Sequence, residues 1–205
     1  MTRPRARLVL LVLVEAWLLC TVAAAFWLQS RRDSAVVAPP PDLMAAPLGK
    51  RVFPDGLSAV TTPGKPALLA FLSPDCPCSQ YNLRHLRHLI FTWQHHVDFV
   101  AVVCQTTETP RRTLDLPIPM IDDSTGHWCR LYGVHTTPRV VILDRQRRVY
   151  FHGNFNAGRY CDNLATEYAR IALEALLQAE PCPAQPPTAT LAYGCRIRAL
   201  HGPRP

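Results

Sequence analysis

Two cysteines, Cys76 and Cys78, lie one proline apart in the stretch "FLSPDCPCSQ" at residues 71–80. They follow an apolar run and open a helical pattern, so they mark the junction between a predicted strand and a predicted helix. Unpaired N–H groups and the helix dipole at such a junction favour a thiolate and lower a cysteine pKa from ~8.5 toward ~3.5–7.5. This placement predicts an attacking thiolate at Cys76, and Pro77 suits the first helical turn.

The spacing of Cys76 and Cys78 leaves several uses open. Two residues along a helix advance about 200°, so a direct disulfide requires Cys76 to lie outside the helix in a strained turn. The pair could form such a strained, oxidising disulfide, or Cys76 could be resolved by a cysteine from another loop. Two thiolates could also hold a soft metal such as copper(I). A degenerate, inactive motif is the remaining alternative. Both cysteines are predicted as catalytic residues.

Five more cysteines follow, which gives seven beyond the first 30 residues. An odd number leaves at least one thiol unpaired within a monomer. Cys161 is a candidate distant resolving cysteine, or else a structural half-cystine paired with Cys182 or Cys195. A Cys182–Cys195 bond would close a loop of about 14 residues, worth ~3 kcal/mol in the chain-entropy account. Cys104 and Cys129 are predicted to be core thiols.

The elements that must position these residues follow from the hydrophobic pattern. Apolar residues at 83, 86, 89, 90 and 93 form a helical stripe after the cysteines. Short apolar runs indicate strands over 67–72, 97–104, 118–121, 138–144 and 147–153. Helices are predicted over 76–94, 123–133 and 161–180. This order predicts an α/β domain in which a mixed central sheet is flanked by helices.

The N-terminal segment predicts a membrane anchor. Arg3, Arg5 and Arg7 precede the apolar residues 8–28, and a helix of about 21 residues spans a bilayer core of about 30 Å. A cleavable signal peptide has a shorter apolar core of roughly 7–15 residues. The flanking arginines favour a cytoplasmic N-terminus. The rest of the chain would then lie across a bacterial inner membrane, in the periplasm, where disulfides persist.

Composition and motifs exclude other classes of function. The formal charge is +7, from 22 Lys and Arg against 15 Asp and Glu, but it is scattered and forms no basic run with interleaved aromatic residues. Nucleic acid is therefore not a predicted partner. The sequence has no glycine-rich phosphate loop, no H-E-x-x-H and no recognisable Ser-His-Asp arrangement. No cofactor is predicted.

Four motifs carry a family resemblance: "SPDCPCSQ", "YGVHTTP", "NFNAGRYC" and "AYGC". The order of elements resembles the thioredoxin fold, and the tethered form resembles membrane-anchored thioredoxin-like proteins of the TlpA/ResA type. The motifs are similar to an uncharacterised bacterial thioredoxin-like family with a D-C-P-C-S motif. The resemblance covers residues 65–180 for the fold and reaches Cys195 for the narrower family. It implies that Cys76 faces a cis-proline loop, and that Thr137 and Pro138 line the substrate backbone.

The expected organisation combines these observations. It comprises a cytoplasmic N-terminus (1–7), a transmembrane anchor (8–28), a proline-rich tether and lead-in (29–64), a thioredoxin-like domain (65–180) and a proline-rich, cysteine-containing tail (181–205).

The leading hypothesis is a membrane-tethered thiol–disulfide oxidoreductase of the cell envelope. Cys76 would attack, and Cys78 or Cys161 would resolve. The expected partners are protein thiols or disulfides in the envelope, and the inner membrane through residues 8–28. One alternative is a copper-binding assembly factor using Cys76, Cys78 and His135, because copper-assembly proteins of this fold use two cysteines and a histidine. Another is a non-catalytic thioredoxin-fold interaction module.

Overall fold

The computed structural model describes residues 3–33, 36–106, 113–158 and 163–201. The chain divides into two compact units, residues 1–35 and 36–205. The first unit is the helix α1 (Arg3–Asp33). Its segment Arg7–Gln29 is long and apolar enough to cross a membrane. The first unit therefore contains the candidate membrane span that the sequence predicts.

The second unit holds the sheets and the shorter helices. Within the described ranges its strands are β1 (Ala67–Leu72), β2 (Asp98–Val103), β3 (Met120–Asp122), β4 (Thr136–Thr137), β5 (Arg139–Leu143), β6 (Val149–Gly153) and β7 (Cys195–Arg196). Its helices are α2 (Leu57–Val60), α3 (Pro77–Trp93), α4 (His127–Tyr132), α5 (Tyr168–Leu177), α6 (Pro187–Thr190) and α7 (Arg198–His201), with a 3₁₀ turn at Leu164–Thr166.

Five strands form one mixed sheet in the order β3-β2-β1-β5-β6. The three strands β1, β2 and β3 run parallel, while β5 is antiparallel to β1 and β6 is antiparallel to β5. The strands β4 and β7 form a separate two-stranded sheet. This strand order, with the cysteine-bearing helix α3 directly after β1, is the predicted α/β thioredoxin-like fold, which is therefore confirmed.

The central strand β1 is buried on both faces and divides the interior into two cores. Leu68, Ala70 and Leu72 contribute to the core beneath α3 and α5. Ala67, Leu69 and Phe71 contribute to the opposite core, which α2 and α4 cover. The alternation of side chains along a strand accounts for this division. Because both faces are covered, β1 reads as a continuous apolar run in the sequence.

The segment from residue 36 to residue 64, predicted as a tether and lead-in, packs within the second unit. The side chains of Ala46, Val52 and Leu57 are buried in the core that α4 covers. The N–H of Ala46 donates to the carbonyl oxygen of Tyr132 at 3.1 Å. Burial of apolar side chains contributes about 25 cal/mol per Å², so this segment contributes to the stability of the unit.

Candidate functional site

Cys76 lies where β1 gives way to α3. It is the N-cap residue of α3, with extended backbone angles (φ −84°, ψ 116°), and Pro77 begins the helix. Its side chain makes no capping hydrogen bond. The Sγ atom instead points toward β4 and lies 3.3 Å from the carbonyl oxygen of Thr137. Cys76 is fully buried, so the attacking thiol predicted from the sequence is covered by other residues.

Cys78 lies in the first turn of α3 and is also buried. Because Cys76 is outside the helix, the spacing of two residues does not point the side chains apart, and their sulfur atoms belong to one group. The group has a third member, Cys195 of the C-terminal tail. The three Sγ atoms all lie within 4.8 Å of one another. The structure thus places both predicted catalytic cysteines in a cluster of three thiols.

Thr137 and Pro138, the predicted groove residues, lie beside this cluster. The Thr137–Pro138 peptide bond is cis, as the resemblance implies. Thr137 is opposite Cys195 in the ladder between β4 and β7, and Thr136 is opposite Arg196. The backbone of Thr137 therefore contacts Cys76 through its carbonyl oxygen and pairs with the strand that carries Cys195.

The surroundings of Cys76 favour its thiolate. The pKa of Cys76 is lowered well below the ordinary value, first by the hydrogen bond from Cys195 and next by the one from Cys78. Burial opposes this effect, while the Thr137 hydroxyl and the Ser79 backbone N–H add to it. The pKa of Cys195 is raised, chiefly because it donates to Cys76. The cluster is therefore arranged to hold a thiolate on Cys76 beside a protonated Cys195.

Cys182 and His135, two other predicted site residues, lie outside the cluster. Cys161 is outside the described residues. Cys182 is half-buried against the core beneath α5 and accepts a hydrogen bond from the side-chain amide of Gln185 at 3.4 Å. The Nε2 atom of His135 lies 3.0 Å from the carbonyl oxygen of Val37. Its ring packs edge-on against that of His201, with centroids 6.2 Å apart. His135 is not a member of the group of three close sulfur atoms.

Sequence reasoning did not assign Cys195 to this cluster. The tail has no helical or alternating pattern, and the sequence offered Cys195 only as a disulfide partner of Cys161 or Cys182. A local signal is the glycine directly before it in "AYGC". Gly194 has φ +109°, and a Cβ atom at this position would overlap the carbonyl oxygen of Thr137. So close an approach to another backbone requires a glycine. The glycine therefore marks the cysteine directly after it as a residue that lies against another part of the chain.

A second pair of thiols lies inside the core that α4 covers. Cys104, directly after β2, and Cys129 of α4 are both fully buried, and their Sγ atoms are 3.2 Å apart. The pKa of Cys129 is raised, first by its contact with Cys104 and then by burial. The structure thus places both thiols in the core, as the sequence predicts, and brings them together as a pair.

We expect Cys104 and Cys129 to form a disulfide when the protein is prepared without reductant. The bond would close a loop of about 26 residues and stabilise the unit by about 3–4 kcal/mol. Mass-spectrometric peptide mapping would detect the bond. Denaturant unfolding should show a higher free energy for the oxidised protein, and Cys104→Ala should reduce the difference between oxidised and reduced samples. Alkylation of both thiols in the denatured, unreduced protein would contradict the expectation.

Comparison with solved structures shows a shared fold. An uncharacterised conserved protein from Geobacillus kaustophilus superposes with a TM-score of 0.64 at 24% identity, over 79% of this chain and 97% of that chain. A hypothetical protein from Sinorhizobium meliloti 1021 superposes with a TM-score of 0.58 at 23% identity, over 68% of this chain and 82% of that chain. A putative thiol:disulfide interchange protein DsbE from Chlorobium tepidum superposes with a TM-score of 0.43 at 20% identity, over 57% of this chain and 80% of that chain. The first two superpositions show a shared fold and, at identities below 25%, nothing beyond the fold.

The sequence comparisons give a family without an assigned activity. No curated protein matches the chain significantly. The profile of a family described as a domain of unknown function, DUF6436, matches residues 51–198. That match begins in the segment before β1 and ends beyond Cys195, so it includes all three thiols of the cluster. Because it covers well over half of the 205 residues, the chain belongs to the DUF6436 family, and its fold is thioredoxin-like.

Proposed function

We propose that this protein is a membrane-tethered thiol–disulfide oxidoreductase of the cell envelope, in which Cys76 is the attacking thiol. One observation carries the proposal. The Cys76 sulfur, at the N-terminus of α3, meets the thiols of Cys78 and Cys195, and the hydrogen bonds from these two thiols lower its pKa. A thiolate is the nucleophile in thiol–disulfide exchange. A second thiol within reach is what the exchange needs for its completion.

The proposed reaction uses only groups that this chain provides. The Cys76 thiolate attacks one sulfur of a protein disulfide, and the other sulfur leaves as a thiolate that takes up a proton. The product is a mixed disulfide between Cys76 and the substrate. A second cysteine of this protein then attacks the Cys76 sulfur and releases the substrate as a dithiol. The backbone of Thr136–Thr137 is the edge along which an extended substrate segment would pair.

The proposed location follows from α1. Its apolar segment (Arg7–Gln29) would hold the protein in the inner membrane, and the arginines before it would keep the N-terminus in the cytoplasm. The thiol cluster would then work in the periplasm, as in membrane-anchored thioredoxin-like proteins of the TlpA/ResA type. Its partners would be proteins of the envelope that carry exchangeable thiols or disulfides.

The test is a disulfide-exchange assay with the full-length chain in detergent. A peptide containing one disulfide is the substrate, with a dithiol as reductant, and the same peptide in dithiol form tests the reverse direction. Wild-type protein should accelerate the exchange. Cys76→Ser should give the uncatalysed rate, because serine cannot form the mixed disulfide. Cys20→Ser, which changes a cysteine of α1, is the control and should retain the wild-type rate. Equal rates for wild type and Cys76→Ser would remove the proposed activity.

The convergence of three thiols also favours a second candidate function, the binding of copper(I). Thiolates are preferred ligands of this ion, and the sulfur atoms of Cys76, Cys78 and Cys195 lie close enough together to share one. The donor set then contains Cys195 in place of His135. Stoichiometric copper(I) uptake in competition with a chelator, lost in Cys195→Ala and accompanied by no exchange activity, would favour this candidate. If the protein shows neither copper(I) binding nor disulfide exchange, that result would favour a non-catalytic interaction module.

A further inference from the structure

The strand β7 occupies the position in which a substrate segment would pair. It forms an antiparallel ladder with β4, and Cys195 is directly opposite Thr137. Thr137 is also the residue whose carbonyl oxygen lies 3.3 Å from the Cys76 sulfur. Addition of an extended segment to an exposed strand edge is a common mode of peptide recognition. Here the C-terminal tail of the chain itself is the added strand, and it brings a cysteine to the attacking thiol.

The fit of the tail against this edge is close and depends on glycine. Gly194 has φ +109°, a conformation that L-amino acids with a side chain rarely adopt. A Cβ atom there would overlap the carbonyl oxygen of Thr137 and lie 3.5 Å from Cδ of Pro138. No other residue type satisfies both conditions without moving the tail. A substitution at Gly194 should therefore displace the tail while leaving every cysteine of the chain unchanged.

The tail is anchored on both sides of β7. On the N-terminal side, the buried Arg139 guanidinium donates to the carbonyl oxygen of Thr190 at 3.0 Å, and the Asn154 side chain donates to that of Leu191 at 2.8 Å. The Tyr193 hydroxyl donates to the carbonyl oxygen of Asn156 at 2.8 Å.

On the C-terminal side, the N–H of Ile197 donates to the carbonyl oxygen of His135 at 3.2 Å, and that of Arg198 donates to Gln105 at 2.9 Å. These bonds return Cys195 to the same place after a displacement. For a substrate segment to pair with Thr137, only the two-residue strand β7 would have to move away.

We infer that β7 is an intramolecular occupant of the substrate edge, and that Cys195 is the cysteine that resolves the mixed disulfide on Cys76. The inference rests on the proposed exchange function and adds its second cysteine and its closed resting state. It assigns to the tail a role that Cys78 or Cys161 was predicted to fill. In the resting state Cys76 is fully covered, which protects its thiolate from unspecific reaction.

The proposed exchange has two chemical steps. A substrate segment displaces β7, and the Cys76 thiolate attacks the substrate disulfide, which releases one substrate thiolate. The return of β7 to Thr137 displaces the substrate segment and brings Cys195 to the mixed disulfide. The Cys195 sulfur loses its proton to the released substrate thiolate and attacks the Cys76 sulfur. A Cys76–Cys195 disulfide and a substrate dithiol result, because the second substrate sulfur leaves as a thiolate and takes a proton from water. Two electrons have then passed to the substrate, with one proton from Cys195 and one from the solvent. A dithiol protein would reduce the pair again.

The first arm of the test identifies the resolving cysteine. Reduced full-length protein in detergent is mixed with a disulfide peptide, quenched with acid and analysed by mass spectrometry. The Cys195→Ser variant should accumulate the peptide adduct on Cys76. Wild type and Cys182→Ser, a change in the same tail outside the cluster, should instead proceed to a Cys76–Cys195 disulfide and to their reduced peptide product. An adduct that accumulates in Cys78→Ser and not in Cys195→Ser would overturn the inference and leave the proposed function standing. Reduced peptide without an adduct in Cys195→Ser would overturn the inference and leave the proposed function standing. No adduct and no reduced peptide in any variant would remove both.

The second arm tests whether β7 covers Cys76. Alkylation of Cys76 by iodoacetamide is measured at pH ~9, above the ordinary thiol pKa of ~8.5, so that the cysteine ionises with or without the tail. Gly194→Ala should react at least about tenfold faster than wild type, because a side chain at this strained position expels β7. Gly64→Ala is the matched control, since Gly64 also has a positive φ (+77°) but has open space around it. Equal rates for the two variants would overturn the inference. If Gly194→Ala does not fold, the isosteric Cys195→Ser arm decides alone.

Discussion

Replacing Gly133 with alanine is expected to destabilise the folded second unit by roughly 3 kcal/mol or more. Gly133 ends α4 with φ +71°, a conformation in which any residue with a Cβ atom is strained. The added Cβ would also overlap the backbone of Met44 and Ala45. A backbone cannot rotate away as a flexible side chain can. The segment that carries these residues is fixed by the hydrogen bond from Ala46 to Tyr132, at 3.1 Å.

The measurement is denaturant unfolding of the full-length chain in detergent, followed by tryptophan fluorescence. Gly49→Ala is the matched control, because Gly49 has a similar φ (+80°) and open space around it. Its cost should be that of the backbone conformation alone, about 1 kcal/mol. A domain is stable by only ~5–15 kcal/mol, so the loss at Gly133 should be large enough to lower expression. Equal losses at the two glycines would show that residues 44–45 do not pack against the C-terminal end of α4.

Elements with a strong local pattern could be predicted from the sequence. The strand predicted over 67–72 is β1 with the same bounds, and the helix predicted over 76–94 is α3 (Pro77–Trp93). In α3 the buried residues include Leu83, Leu86, Leu89 and Ile90, which belong to the predicted stripe. These elements bury one face or a whole run of side chains, so the apolar residues in the sequence follow the pattern of burial.

Predictions failed where a polar side chain or a turn decides the local structure. The helix predicted over 123–133 begins only at His127. The Asp123 carboxylate accepts from the N–H groups of Trp128 and Cys129, at 3.0 and 2.9 Å. The helix predicted over 161–180 begins only at Tyr168, because Asn163 caps a short 3₁₀ turn first. Hydrogen bonds of this kind leave no periodic trace in the sequence.

The candidate site was predictable only in part, and for a related reason. The position of Cys76 follows from a strand, a proline and a helical stripe, which are all local. The pairing of β7 with β4 joins residues about 58 positions apart, and each strand has only two residues. So short a strand has no alternation to read, and its partner is set by contacts distant in sequence. The neighbours of the Cys76 sulfur could therefore not be derived from the residues around it.

Cys76 is expected to be ionised at mildly acidic pH, because the thiols around its sulfur atom lower its pKa. A cysteine with the ordinary pKa of ~8.5 is only about 0.3% ionised at pH ~6. Because the pKa of Cys76 is lowered well below the ordinary value, its thiolate should persist as the pH falls from ~8.5 to ~6 and should be lost only in stronger acid. The ultraviolet absorbance of thiolate in the reduced protein at pH ~6, minus that of Cys76→Ser, should therefore correspond to nearly one thiolate.

The cause of the shift can be tested with the same titration. The hydrogen bond from Cys195 is the largest contribution to the lowered pKa of Cys76, so Cys195→Ala should move the midpoint of the thiolate titration upward. Cys182→Ala is the matched control, because Cys182 lies in the same tail but interacts with Gln185, and it should leave the midpoint unchanged. A wild-type protein without thiolate at pH ~6 would contradict the proposed activation of Cys76. An unchanged midpoint in Cys195→Ala would mean that α3 and Cys78, rather than the tail, activate the thiol.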